Sequence, residues 1–135
     1  MLALDTNILL RYLRNDDARQ GAAARHLIDD QTTDADRLLV GGEVLVEFYW
    51  FFANKQRLSR QAIVELLWAT LDNAHLAFSD ETAITAAVDA YAQGPAGFVD
   101  YLIAAMARAR GAEFTFTFDK DAAKHESFRL LSVGD

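Results

Sequence analysis

The sequence predicts an α/β fold with a central parallel sheet of four to five strands and helices on both faces. Short apolar runs of strand length alternate along the chain with longer stretches of helical period. Such alternation implies right-handed crossovers, and these make the sheet parallel. The 135 residues are 52% hydrophobic, enough for one domain with a genuine core, so residues 1–135 read as a single domain.

The first apolar run, Met1 to Leu4, ends in Asp5-Thr6-Asn7. Ile8-Leu9-Leu10 and Tyr12-Leu13 then resume with helical spacing, giving strand, turn and helix. Asn15-Asp16-Asp17 breaks that helix and caps a second from Ala18 to Ile28. Asp29 to Asp36 reads as a loop, and Leu38 to Val40 as a buried strand closed by Gly41-Gly42. A helix from Glu43 to Ala53 is apolar around most of its circumference. Ser59 suits the N-cap of a helix from Arg60 to Leu71. Leu76 to Phe78 is the third strand, and Ser79-Asp80 opens a helix to about Gln93. After the break at Gly94-Pro95-Ala96-Gly97, Asp100 begins a helix over Tyr101 to Arg110, with Gly111 at C′. Phe114 to Phe118 is the fourth strand, and Phe128 to Val133 is a possible edge strand.

Composition excludes several classes. No apolar run reaches the roughly 18 residues of a spanning helix. Asp5 stands where a signal peptide would carry basic residues, so the expectation is a soluble, cytoplasmic protein without membrane contact. The chain has no cysteine, hence no disulfide or thiolate site, and His26, His75 and His125 lack zinc-type spacing. Any metal is held mainly by oxygen. The net charge of -7 argues against a broad electrostatic grip on nucleic acid, but bound divalent cations reverse the local field of an acidic site. A basic partner protein is the other way to satisfy such a surface.

Four acidic stations, Asp5, Glu47, Asp100 and Asp119, sit where a strand ends or on a helix near its start. In open α/β sheets ligands bind beyond the carboxyl ends of strands, and Asp5 and Asp119 both follow strands. Carboxylates gathered from distant segments repel one another unless a cation neutralises them. Each station also has a plainer reading. Asp5 and Asp100 suit the N-terminal ends of helices, Glu47 suits a solvated helix face shared with Glu43, and Asp119 suits a turn. Thr6 and Asn7 can cap in place of Asp5, which frees that carboxylate for a ligand role. Glu47 has an apolar neighbourhood that disfavours an unpaired charge, and Glu43, four residues earlier, is the substitute ligand. Asp119 precedes Asp121, which reads as an auxiliary group or a cap. Thr6 and Thr117 offer hydroxyls to orient carboxylates or water, or to satisfy local backbone.

Carboxylate oxygens suit Mg²⁺ or Mn²⁺, with waters and phosphate oxygens completing the shell. The chemistry suggested is metal-assisted phosphodiester hydrolysis. Arg11 and Arg14 are the basic candidates for RNA phosphates, or ordinary helix surface. The run Phe48-Tyr49-Trp50-Phe51-Phe52 suits core plus an oligomer interface better than base stacking. A Gly-x-Ser-x-Gly elbow, a P-loop and a Rossmann fingerprint are missing. A phosphatase of the haloacid dehalogenase type needs a second Asp two residues after the first, where Asn7 stands.

With these stations in place the chain resembles the PIN-domain endoribonucleases, specifically the VapC-type toxins of bacterial toxin-antitoxin pairs. The carrying segments are Leu4 to Leu13, Glu43 to Trp50, Phe98 to Ala104 and Thr117 to Asp121. The resemblance implies a PIN-like three-layer α/β/α domain, an acidic quartet of Asp5, Glu47, Asp100 and Asp119, Mg²⁺ or Mn²⁺ dependence and cleavage of RNA. It also implies a homodimer and a cognate antitoxin that places a basic side chain in the acidic pocket. The competing function is a non-catalytic RNA-binding or partner-binding module of the same fold.

Overall fold

The computed structural model describes residues 1–134. Six α-helices and four short strands alternate along them, and both strand pairs are parallel. The α/β class with parallel strands is therefore as the sequence predicts. The chain forms two compact units: Met1–Ser59 with Trp68–Ser79, and Arg60–Leu67 with the residues from Asp80 onward.

In the first unit, strand β1 (Leu38–Val40) pairs with β2 (Leu76–Phe78) in the register Leu38 to Leu76. On its other side β1 meets the N-terminal segment. Leu4 N donates to Leu39 O at 2.9 Å, and Leu39 N to Leu2 O at 2.8 Å. The strand expected over Met1 to Leu4 is thus a single bridge at Ala3. Only Leu4 of that segment is buried, so little apolar contact extends the pairing. Helix α1 (Thr6–Leu13) buries Leu9 and Leu10. Helix α2 (Ala18–Arg25) starts at Asp17, whose carboxylate accepts from Gln20 N at 2.9 Å.

Two π-helical turns extend helices in this unit. His26–Asp30 prolongs α2, so the loop expected from Asp29 begins after Asp30. Phe51–Lys55 prolongs α3 (Gly42–Trp50), with Gln56 N bonding Phe51 O at 3.1 Å across five residues. Each wider turn rotates the residues beyond it relative to a continuing α-helix. Val40, Leu45, Phe48 and Ile28 are fully buried here.

Helix α4 (Arg60–Leu71) has the predicted limits, and its residues up to Leu67 belong to the second unit. There α5 (Glu81–Gln93) packs on α6 (Phe98–Ala109) through buried Ala83, Ala87 and Ala104. The turn between them is tightly held. Arg60 donates to the carbonyls of Tyr91, Ala96 and Pro95 at 2.8, 2.9 and 3.0 Å. Ala96 N donates to the buried Tyr101 hydroxyl at 3.1 Å. A Cβ at Gly94 would run into that hydroxyl, so only glycine fits. Strand β3 (Thr115–Thr117) pairs with β4 (Phe128–Leu130) in the register Thr115 to Phe128.

The helix expected to open at Ser79-Asp80 does so, with Asp80 as the N-cap of α5, whereas two other local expectations need correction. Asp80 adopts a left-handed conformation (φ 53°, ψ 46°), and its side chain makes no cap bond. Its carbonyl instead accepts from Ile84 N at 3.0 Å, and a short polar side chain tolerates that conformation. Asp100 does not begin its helix but is its third residue, because α6 starts at the buried Phe98. The edge strand over Phe128 to Val133 stops at Leu130. Gly111 does take the expected C′ position, with φ 97°.

Candidate active site

The first unit brings Asp5, Thr6, Asn7 and Glu47 to one cavity of about 690 Å³, walled by Leu10, Val46, Trp50 and Phe51. Asp5 is the N-cap of α1 in extended backbone, and its Oδ1 accepts from Ile8 N at 3.1 Å. That bond orients the carboxylate and satisfies one of the unpaired N–H groups of the first turn. Thr6 Oγ1 donates to Glu47 Oε1 at 3.0 Å. The Thr6 hydroxyl therefore does orient a carboxylate, and that carboxylate comes from a different helix. Neither Asp5 nor Glu47 forms an ion pair among the described residues.

Glu47 is exposed. The desolvation expected from its apolar sequence neighbours does not arise, since Leu45 and Phe48 turn into the core while Glu47 faces out. Glu43 is also exposed and folds back over Gly41, where its carboxylate occupies the space of an absent Cβ. It does not line the cavity.

In the second unit, Asp100 Oδ2 accepts from Gly97 N at 3.3 Å, reaching back from the third helical position in the manner of a capping box. Asp119 Oδ1 accepts from Asp121 N at 2.8 Å and Ala122 N at 3.3 Å, so it shapes the turn into the short 3₁₀ helix Ala122–Lys124. Thr117 Oγ1 accepts from Asp119 N at 3.0 Å, a local backbone role. Asp121 pairs with Lys124 at 3.3 Å. Among the described residues, no three Asp, Glu or His side chains group closely enough to hold a metal ion on their own.

The basic candidates are pinned. Arg11 Nη1 lies 2.8 Å and Arg14 Nη2 2.9 Å from Asp16 Oδ2, and Arg11 Nε donates to Gln20 Oε1 at 2.7 Å. Desolvation works to raise the Asp16 pKa, but the Arg11 hydrogen bond and the charges of Arg11 and Arg14 outweigh it and hold the carboxyl below its ordinary value. Arg14 also stacks over Phe51, 4.6 Å from the ring centroid. Nearby, burial and the Asp29 hydrogen bond push the Tyr12 hydroxyl above its ordinary value.

Sequence reasoning passed over the cavity's aromatic wall. Trp50 and Phe51 lie three and four residues after Glu47, and this spacing on one helix face was the available signal. It was hidden within five consecutive aromatics. Of these, Phe48 and Phe52 are buried, whereas Trp50 is 53% exposed.

The donor set of the cavity is carboxylate, hydroxyl and amide oxygen, which fits a hard divalent cation such as Mg²⁺ or Mn²⁺. No helix among the described residues is long and apolar enough to cross a membrane. No curated protein sequence matches the chain. The PIN domain family matches it over residues 2–127, through both units. The chain therefore belongs to the PIN-domain family, whose general activity is nuclease chemistry with divalent metal ions.

Proposed function

We propose that this protein is a metal-dependent endoribonuclease of the VapC type, a toxin held in check by a cognate antitoxin. The observation that carries the reading is the meeting of Asp5 and Glu47 at one cavity, with Thr6 holding Glu47 by its hydroxyl. Asp100 and Asp119 complete the quartet on the strength of their sequence segments, Phe98 to Ala104 and Thr117 to Asp121. Mg²⁺ or Mn²⁺ is the cofactor, and residues 1–135 act as one cytoplasmic PIN-like domain that pairs as a homodimer.

The residues divide the work as follows. Asp5 presents one carboxylate oxygen while Ile8 N holds the other. Thr6 restrains Glu47 Oε1, leaving Oε2 for a cation or for a proton of the attacking water. A divalent cation bound there supplies Lewis acidity to a phosphoryl oxygen and offsets the repulsion between carboxylates. The -7 charge suits a basic antitoxin segment that competes for the same acidic cavity.

The test is incubation of partner-free protein with a mixed RNA pool in Mn²⁺ or in EDTA. Discrete products in Mn²⁺ alone are expected. No cleavage by folded, Mn²⁺-loaded protein would replace this reading with the non-catalytic RNA-binding or partner-binding module.

A further inference from the structure

We propose that the second unit carries a binding site for a small monocarboxylic acid with a compact apolar body, in the cavity of about 270 Å³ between α5, α6 and the segment before β4. Every residue that lines it belongs to that unit, and the nuclease reading makes no use of it. The volume lies just below the range of sites for drug-sized ligands, so it suits a smaller molecule. Its apolar wall comes from Ala86 and Ala90, one turn apart on α5, from Ala105 on α6 and from the Tyr101 ring. Methyl side chains leave open the space that larger residues would occupy.

The polar lining is built on His125. Ser127 Oγ lies 2.6 Å and Ser127 N 3.1 Å from His125 Nδ1. A backbone N–H can only donate, so Nδ1 is the acceptor and the neutral ring carries its proton on Nε2. Ser127 is buried, and Tyr101 meets the imidazole edge to face at 5.5 Å, so the ring is held from two sides. Nε2 has no hydrogen-bond partner among the described residues. The second donor is the Arg108 guanidinium. Its ion-pair partner, Glu126, is 3.8 Å away, beyond hydrogen-bond range, and both side chains are exposed. A ligand carboxylate can therefore take the guanidinium fork at little cost. No carboxylate lines the cavity among the described residues. The adjoining hollow, which shares Arg108 and His125, adds Lys124 but also Asp89 and Glu126, and so leaves no surplus positive charge for a dianion such as a phosphate monoester. One guanidinium and one neutral N–H match one carboxylate, and the alanine wall takes the apolar body.

The experiment titrates phenylacetate into the full chain and reads calorimetric heat and the imidazole NMR resonances. Phenylacetate should bind with a Kd on the order of 1 mM and shift the His125 Nε2–H resonance. Its neutral amide, phenylacetamide, and the dianion phenyl phosphate should each bind at least about tenfold more weakly. Arg108→Gln should weaken phenylacetate binding about tenfold or more. Ala86→Leu, at an exposed helix position, should abolish it by filling the cavity, with circular dichroism showing that both variants fold. No saturable binding below about 10 mM, or wild-type affinity in the folded Ala86→Leu variant, would overturn the proposal. Equal affinity for phenylacetamide would overturn the carboxylate as the recognised group, and tighter binding of phenyl phosphate would overturn it in favour of a phosphate site. Binding that appears only on dilution, as a dimer dissociates, would overturn it in favour of an interface between copies of this chain. RNA cleavage is not a readout here, so the nuclease reading stands or falls separately.

Discussion

The Thr6 hydroxyl donates to Glu47 Oε1 at 3.0 Å, joining residues 41 positions apart in sequence. Thr6 is the first residue of α1 and Glu47 lies on α3. The bond thus fixes a carboxylate on one helix by reference to the start of another, which also carries Asp5 as its cap.

Removing this hydroxyl should loosen Glu47 without unfolding the protein. Thr6→Val is expected to lower Mn²⁺-dependent RNA cleavage and Mn²⁺ affinity about 10-fold, the low end for partners of metal ligands. Thr6→Ser should restore both. Calorimetric Mn²⁺ titration beside initial cleavage rates checks this, and unchanged affinity in Thr6→Val would show that Glu47 needs no such restraint.

Asp5 has two roles that substitutions can separate. Asn caps as well as Asp, so Asp5→Asn should keep urea stability within a few tenths of a kcal/mol while abolishing cleavage. Asp5→Ala loses the bond to Ile8 N as well and should cost about 1 kcal/mol of stability. A similar loss of stability in both variants would mean that the negative charge itself, and not the cap geometry, supports α1.

The turn between α5 and α6 depends on the approach of Tyr101 to Gly94. Gly94→Ala is expected to destabilise by about 1–3 kcal/mol through overpacking. Tyr101→Phe should cost about 1–3 kcal/mol by leaving the buried Ala96 N–H without its acceptor. Because the added methyl collides with the hydroxyl that Phe lacks, the double variant should be less destabilised than the sum of the singles. Strict additivity in urea unfolding would refute the collision.

Asp16 gives a pH signature. Its pKa is lowered from the ordinary 3.8, so the unfolded chain takes up its proton first as pH falls. The Asp16 contribution is therefore complete above about pH 4 and lost below it, as pH passes through the folded-state value. Urea unfolding between pH 2 and 6 should show a smaller acid loss in Asp16→Asn than in the wild type. Tyr12 acts at the other end. Its pKa is raised from 10.0, so its contribution is complete below pH 10 and declines above it, and Tyr12→Phe should flatten that decline.

Local pattern decided what was legible in the sequence. Leu38–Val40, Leu76–Phe78 and Arg60–Leu71 have the expected limits, because apolar period and flanking breakers agree there. The π-helical turns at His26–Asp30 and Phe51–Lys55 leave no such mark, since a wider turn changes neither composition nor period over five residues. Asp100 was assigned too early a place in its helix because Gly94-Pro95 resembles a longer break than the chain makes. At the site, Asp5 as a cap and Thr6 as a possible orienting group were readable locally. The Thr6 hold on Glu47 and the Arg14 guanidinium over Phe51 arise from contacts between segments that spacing along the chain does not encode.

The measurement that tests the central claim most directly compares wild type, Glu47→Gln and Asp100→Asn on one RNA pool in Mn²⁺, with circular dichroism confirming the fold of each. Glu47→Gln still accepts from Thr6, and Asp100→Asn still accepts from Gly97 N, so both should fold. The expected result is metal-dependent cleavage by the wild type and a loss of at least about 100-fold in each variant. Cleavage at the wild-type rate by either folded variant would contradict the assignment of that carboxylate to the reaction.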